Sequence, residues 1–128
     1  MPRKGTDVDT HDTLAALQRQ VIAFRDERAW EPFHTPKNLV MAMAIEVGEL
    51  QELFLWKNDA EISAALTDPE MQTRLREEMA DVLIFLLYLA QATGVDLAEA
   101  VKAKIQQNQE KYPVAKSFGS SKKYTELE

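Results

Sequence analysis

The stretch LVMAMAIEVGELQELFLW, residues 39–56, constrains the fold more than any other. Its apolar residues cover far more of a helix surface than the single stripe of an ordinary amphipathic helix. A helix of this kind has to be buried by partners on more than one side. The start signal lies just upstream, where Thr35 followed by Pro36 reads as an N-cap and a first helical residue. The spacing therefore predicts a helix from Pro36 to about Trp56.

The rest of the chain supplies the partners. From about Asp12 to Arg28, Leu14, Leu17, Val21 and Phe24 recur at steps of three and four, which is one buried helical stripe. Asp68-Pro69 opens a third helix that should persist to Thr93 and stop at Gly94. Asp96 with Glu99 three later reads as a capping box, opening a fourth helix that ends near Tyr112, before Pro113. The segment KNDAEISAALTD reads as a polar joint holding one short helical turn. Residues 1–9 read as a frayed lead-in, and 114–128 as a polar, mildly basic, mobile tail. No strand-like alternation, hairpin signal or internal repeat appears. The expected fold is all-α: one domain over residues 1–128, built on four main helices. The second and third are too apolar for one small bundle to satisfy, so a dimer or higher homo-oligomer is expected.

Two acidic pairs interrupt this apolar surface. Glu46 and Glu49 lie three apart in the second helix, and Glu78 and Asp81 three apart in the third. Positions so spaced share a helix face, so each pair can converge on one point. Like charges held together repel, and desolvation adds several kcal/mol per ion. A divalent cation offsets both costs. One i,i+3 acidic pair alone is ordinarily a solvated face; two pairs on apolar helices of one small domain suggest a four-carboxylate cradle. Glu52 lies about 120° around the helix from Glu46 and is read as either backing the metal-binding acids or facing solvent. Of the two histidines, His11 and His34, only His34 follows a glutamate (Glu31) by three, whereas a ferritin-like iron site requires two such pairs on helices. Oxygen-only ligation points to Mg²⁺ or Mn²⁺, and a magnesium site of this type commonly awaits phosphates.

Other groups suit such a ligand. Lys104, Asn108 and Tyr112 follow one another at steps of four on the fourth helix, able to meet phosphate and sugar or to form a plain solvated face. Trp30, Phe33, His34 and Trp56 flank the second helix, where aromatics can sandwich a nucleobase or simply pack in the core. The four glycines are scattered, so no glycine-rich loop is available to hold phosphates. The net charge of −6 disfavours a nucleic-acid-coating role. It leaves an anionic substrate open, since a bound cation reverses the local sign. Without cysteine there is neither disulfide nor thiolate chemistry. The opening MPRKGTDVDTHD lacks the apolar centre of a secretory signal, and the longest apolar run, Val82 to Ala90, falls short of the ~20 residues that span a bilayer. A cytoplasmic protein is the expectation, with no membrane partner.

Taken together, Glu46-Val47-Gly48-Glu49 and Glu78-Met79-Ala80-Asp81 resemble the motifs of the MazG-type all-α nucleoside triphosphate pyrophosphohydrolases. The likeness is closest to the dCTP pyrophosphatase branch. It extends through RDERAWEPFHTPKNL, EVGELQELFLWK, EEMADVLIFLLYLA, VDLAEAV, KYP and KYTEL, in order, over roughly residues 12 to 127. The resemblance implies Mg²⁺-dependent hydrolysis of a nucleoside triphosphate, dCTP or a modified dCTP, to monophosphate and pyrophosphate, a cleansing of the nucleotide pool. It also implies a MazG-like four-helix bundle completed by oligomerisation, as a dimer or tetramer. By the same resemblance Glu46, Glu49, Glu78 and Asp81 are the metal-binding and catalytic acids. Trp30, His34 and Trp56 surround the base, Asn38 and Phe85 join the substrate contacts, and Lys104, Asn108 and Tyr112 reach sugar and phosphates. Ile45 stands where the wider family often has a further glutamate, which bears on the number of metals. Phe85 stands where a relative carries tyrosine, which bears on base and sugar preference. The rival reading is a non-catalytic helical oligomer that binds a nucleotide or a protein partner; buried like charges would gain it nothing.

Overall fold

The computed structural model describes residues 12–128, so the lead-in expected over residues 1–9 lies outside the described residues. The described residues are all-helical, with no strand among them. The chain divides after Gly94 into two compact units.

The unit ending at Gly94 contains α1 (Leu14–Glu27), a 3₁₀ turn (Glu31–Phe33), α2 (Pro36–Glu52), α3 (Asp59–Ala65) and α4 (Pro69–Thr93). Side chains open every α-helix, each accepting from a backbone N–H three residues on: Thr13, Thr35, Asn58 and Asp68. Each such cap contributes about 1 kcal/mol. α4 is the spine. α2 packs chiefly against it, and α1 packs against it too. The core between them is formed by Leu39 and Leu53 from the α2 segment and by Met71, Leu87, Tyr88 and Ala90 from α4. Gln18 of α1 donates through Nε2 to the Leu87 carbonyl at 3.0 Å, and the Tyr88 hydroxyl donates to the Val21 carbonyl at 2.9 Å. These bonds fix the register of α1 on α4. Gly94 ends α4 in the left-handed conformation (φ 74°), as the sequence predicts.

Two expectations for this unit need correction. The second helix ends at Glu52 rather than Trp56. Leu53 turns into the core, and Trp56 itself adopts a left-handed backbone (φ 66°) that no helix can include. The joint after it is a seven-residue helix, α3, rather than a single turn. Asn58 accepts from the Glu61 N–H at 2.8 Å, and Glu61 returns a bond from the Asn58 N–H at 2.8 Å. That reciprocal box nucleates the helix.

The second unit holds α5 (Leu97–Lys111), the short α6 (Val114–Ser117) and a 3₁₀ turn (Tyr124–Glu126). Asp96 caps α5 from the Glu99 N–H at 3.0 Å. The returning half of a capping box is absent among the bonds of the described residues. The tail takes up helical turns and folds back on the end of α5. Tyr124 meets Tyr112 edge-on at 6.0 Å between ring centroids, with the Lys111 ammonium 4.9 Å from the Tyr124 ring.

Candidate active site

The α2–α4 pairing brings the two acidic pairs face to face. One carboxylate oxygen from each of Glu46, Glu49 and Glu78 lies within 4.8 Å of the others. Asp81 comes within hydrogen-bonding reach of Glu46, and Glu49 within reach of Glu78. The acids therefore couple across the helix pair as well as along each helix. Glu46, Glu78 and Asp81 are half-buried, while Glu49 is exposed. Glu52 and Glu77 are exposed at the margin.

The electrostatics of this arrangement are unfavourable on their own. The Glu46 carboxyl is pushed above its ordinary pKa by loss of water, then by the charges of Glu49, Asp81 and Glu78. Glu78 is pushed up by loss of water and then chiefly by Glu49 and Asp81. Oε1 of Glu78 is buried without a hydrogen-bond partner. Among the described residues no lysine, arginine or histidine lies within ion-pair distance of any of the four acids. A hard divalent cation fits this donor set: oxygen ligands only, one of them orphaned, with a local negative charge that nothing else offsets. Glu46, Glu49 and Glu78 bring their oxygens close enough together to hold it, while Asp81 stands beside Glu46 outside that trio.

Each aromatic residue expected around a base has its own surroundings. Trp30 meets Phe24 edge-on at 5.8 Å and is partly exposed. His34 packs on Tyr88 of α4, with ring centroids 4.5 Å apart. Trp56 is 91% exposed. No ring pair among the described residues joins any two of Trp30, His34 and Trp56. Asn38 uses its side-chain N–H₂ to hold the Phe33 carbonyl at 3.0 Å, fastening the 3₁₀ turn to the start of α2. Phe85 is half-buried and meets Tyr88 edge-on at 6.3 Å. The sequence reading missed Tyr88 and Arg25, both buried beside His34. Tyr88 lay hidden inside an apolar run, and Arg25 among the charges of α1; an aromatic with a polar tip in such a run is the one available signal. In the second unit Lys104 and Asn108 are exposed on α5, with the Lys104 ammonium 3.5 Å from Oε1 of Gln107, and Tyr112 closes the helix.

Comparison with known proteins identifies the family. Residues 41–127 match the model of the MazG-like family, a span holding all four acids. The dCTP pyrophosphatase 1 of Rattus norvegicus is 48% identical over 115 residues, which cover 90% of this chain and 68% of that protein. The Homo sapiens protein of the same name is 46% identical over the same coverage. In three dimensions the chain is similar to the crystal structure of a pyrophosphatase from Archaeoglobus fulgidus. That similarity has a TM-score of 0.74 and 38% identity, covering 84% of this chain and 99% of the other. With a family model matched over most of its length and relatives near half identity, the chain belongs to the MazG-like family.

Proposed function

We propose that this protein is a pyrophosphohydrolase that cleaves dCTP to dCMP and pyrophosphate, with Mg²⁺ as the metal and Mn²⁺ as a substitute. The observation that carries the reading is the acid cluster between α2 and α4, with its orphaned Glu78 oxygen. The identity to dCTP pyrophosphatases over 90% of the chain supports the choice of substrate. A cation bound there supplies neutralisation of triphosphate charge and a water of lowered pKa.

The protein's own groups divide the remaining work. Glu46, Glu78 and Asp81, half-buried between two helices, form the rigid side of the cradle. Glu49, the exposed member, is assigned to accept the proton of the attacking water as its oxygen bonds to phosphorus. The phosphoanhydride bond then breaks, and its electron pair leaves with the departing phosphate oxygen. Trp56 offers a free ring face to the base, and Trp30 and His34 complete its surroundings. Asn38 sets the turn that carries His34, and Phe85 backs Tyr88 beneath it. Lys104, Asn108 and Tyr112 are assigned to sugar and phosphates on the family likeness.

The assembly is proposed as one MazG-like domain per chain, its four long helices completed into a bundle by a second copy, as a dimer or tetramer. Exposed apolar residues support this: Met41 (59%) and Ile45 (63%) on α2 and Met79 on α4 all lie open. Among the described residues no single helix is long and apolar enough to cross a membrane, and the cytoplasm is where such a substrate pool lies. The test is a purified sample given dCTP with and without Mg²⁺. Metal-dependent release of pyrophosphate and dCMP, lost in Glu78→Ala with the helical content retained, is the expected result. Retained turnover in that variant defeats the metal assignment, and no turnover by the wild type favours the non-catalytic binding reading.

A further inference from the structure

A second set of titratable groups sits in the same unit, apart from the acids, and the reaction above leaves it unused. Arg25 of α1 is 8% exposed and Tyr88 of α4 is 5% exposed. Tyr88 packs on the ring of His34, which closes the 3₁₀ turn ahead of α2, and the charge of Arg25 acts on that imidazole. The Tyr88 hydroxyl spends its proton on the Val21 carbonyl, so it has none to donate to the imidazole. Phe85 packs edge-on against Tyr88, with ring centroids 6.3 Å apart. Nδ1 of His34 is buried and has no hydrogen-bond partner.

The proton on His34 can therefore be placed. A proton on Nδ1 would be a buried donor with no acceptor, in the field of the Arg25 positive charge. A bare Nδ1 lone pair in that field costs far less. The proton then belongs on Nε2. The charged groups around the pocket agree. Arg25 is held at 2.8 Å by Asp26, Arg28 adds positive charge near Tyr88, and His34 is kept below its ordinary pKa by burial and then by Arg25.

We propose that Tyr88 and Arg25 are positioning residues that fix His34 as an uncharged imidazole protonated on Nε2, so that it offers the base a hydrogen-bond donor and selects pyrimidines with an acceptor on that edge. The inference rests on the reading that His34 faces the base. Tyr88 supplies the ring platform that sets the plane of the imidazole. Arg25 supplies the charge that empties Nδ1. Cytosine, with acceptors at O2 and N3 side by side, presents the matching edge.

The first measurement is long-range ¹H–¹⁵N correlation on the full chain with ¹⁵N-labelled histidine. His11→Gln assigns the His34 signals, as the sequence has only these two histidines. At neutral pH the spectrum should report a neutral ring protonated on Nε2. A ring protonated on Nδ1, or a charged ring, overturns the proposal without any variant. Tyr88→Phe should keep the tautomer and the KM for dCTP. Tyr88→Leu should mix the tautomers and raise KM roughly 2- to 12-fold, the range of one aromatic pair, with kcat changed less than about twofold. Equal loss of kcat and KM in both variants, or no change in Tyr88→Leu, overturns it. If His34→Ala leaves KM unchanged while the wild-type tautomer is as stated, the base contact is wrong and the proposal falls with it; the spectroscopic failure is a separate and distinguishable result.

Discussion

Replacing Trp56 by glycine should stabilise the protein and impair the enzyme at once. Trp56 has a left-handed backbone (φ 66°), and its ring is 91% exposed. A residue with a Cβ in that conformation costs about 1–2 kcal/mol, and with so little burial the ring returns almost nothing to stability. Glycine relieves the strain but adds about 0.5–1 kcal/mol of unfolded-chain entropy. The net gain is about 0.5–1 kcal/mol. For 128 residues at about 2.1 cal/mol/K each, that is a rise in Tm of roughly 2–4 °C. Trp56→Ala keeps the strained backbone and removes only the ring, so its Tm should stay near wild type. Both variants should raise the KM for dCTP by about 5- to 150-fold, the worth of one stacked base. Thermal scans of the three proteins, with steady-state kinetics alongside, separate strain from stacking. A Tm that falls by the same amount in both variants would mean the ring is packed in the folded assembly, and the reasoning would be refuted.

Three further outcomes follow from the geometry. In chelator, Glu46 and Glu78 bind protons more tightly folded than unfolded, so their contribution to stability should be fully present below the ordinary glutamate range and be lost as pH rises through their raised values; excess Mg²⁺ should flatten that fall, and Glu78→Gln should raise the chelator Tm at neutral pH while abolishing the Mg²⁺-induced shift. Gly94→Ala should lower stability by about 1 kcal/mol through its left-handed φ alone, since an added Cβ meets nothing within 4 Å, with kcat unaffected. Met41→Lys should shift the mass measured by light scattering towards the monomer; an unchanged mass would place the subunit contact elsewhere.

Helix starts were legible because they are written in local chemistry. Thr35-Pro36 and Asp68-Pro69 each set a cap and a first residue within four positions, and Gly94 needs only its own φ to end α4. The pairing of acids within each helix was legible from the 3.6-residue period, which places i and i+3 on one face regardless of tertiary context, whereas the meeting of Glu46, Glu49 and Glu78 depends on how α2 packs on α4. The end of α2 was illegible because Leu53, Leu55 and Trp56 continue an apolar run, while the turn there is imposed by Leu53 packing in the core. The start of α3 was written in Asn58 and Glu61, but a seven-residue helix hardly outweighs its polar surroundings. The pairing of His34 with Tyr88 brings together residues far apart in the chain, and no local pattern encodes it.

The acids meet from two helices rather than from one loop. Inserting a single residue in α2 upstream of Glu46 would rotate both of its carboxylates by about 100° away from those of α4. Length changes between Asn58 and Asp68, by contrast, would insert nothing within α2 or α4 and so leave the facing of the acids unchanged. Natural and engineered insertions should therefore collect in that connector and be purged from the two helices, even at solvent-facing positions where a substitution costs nothing.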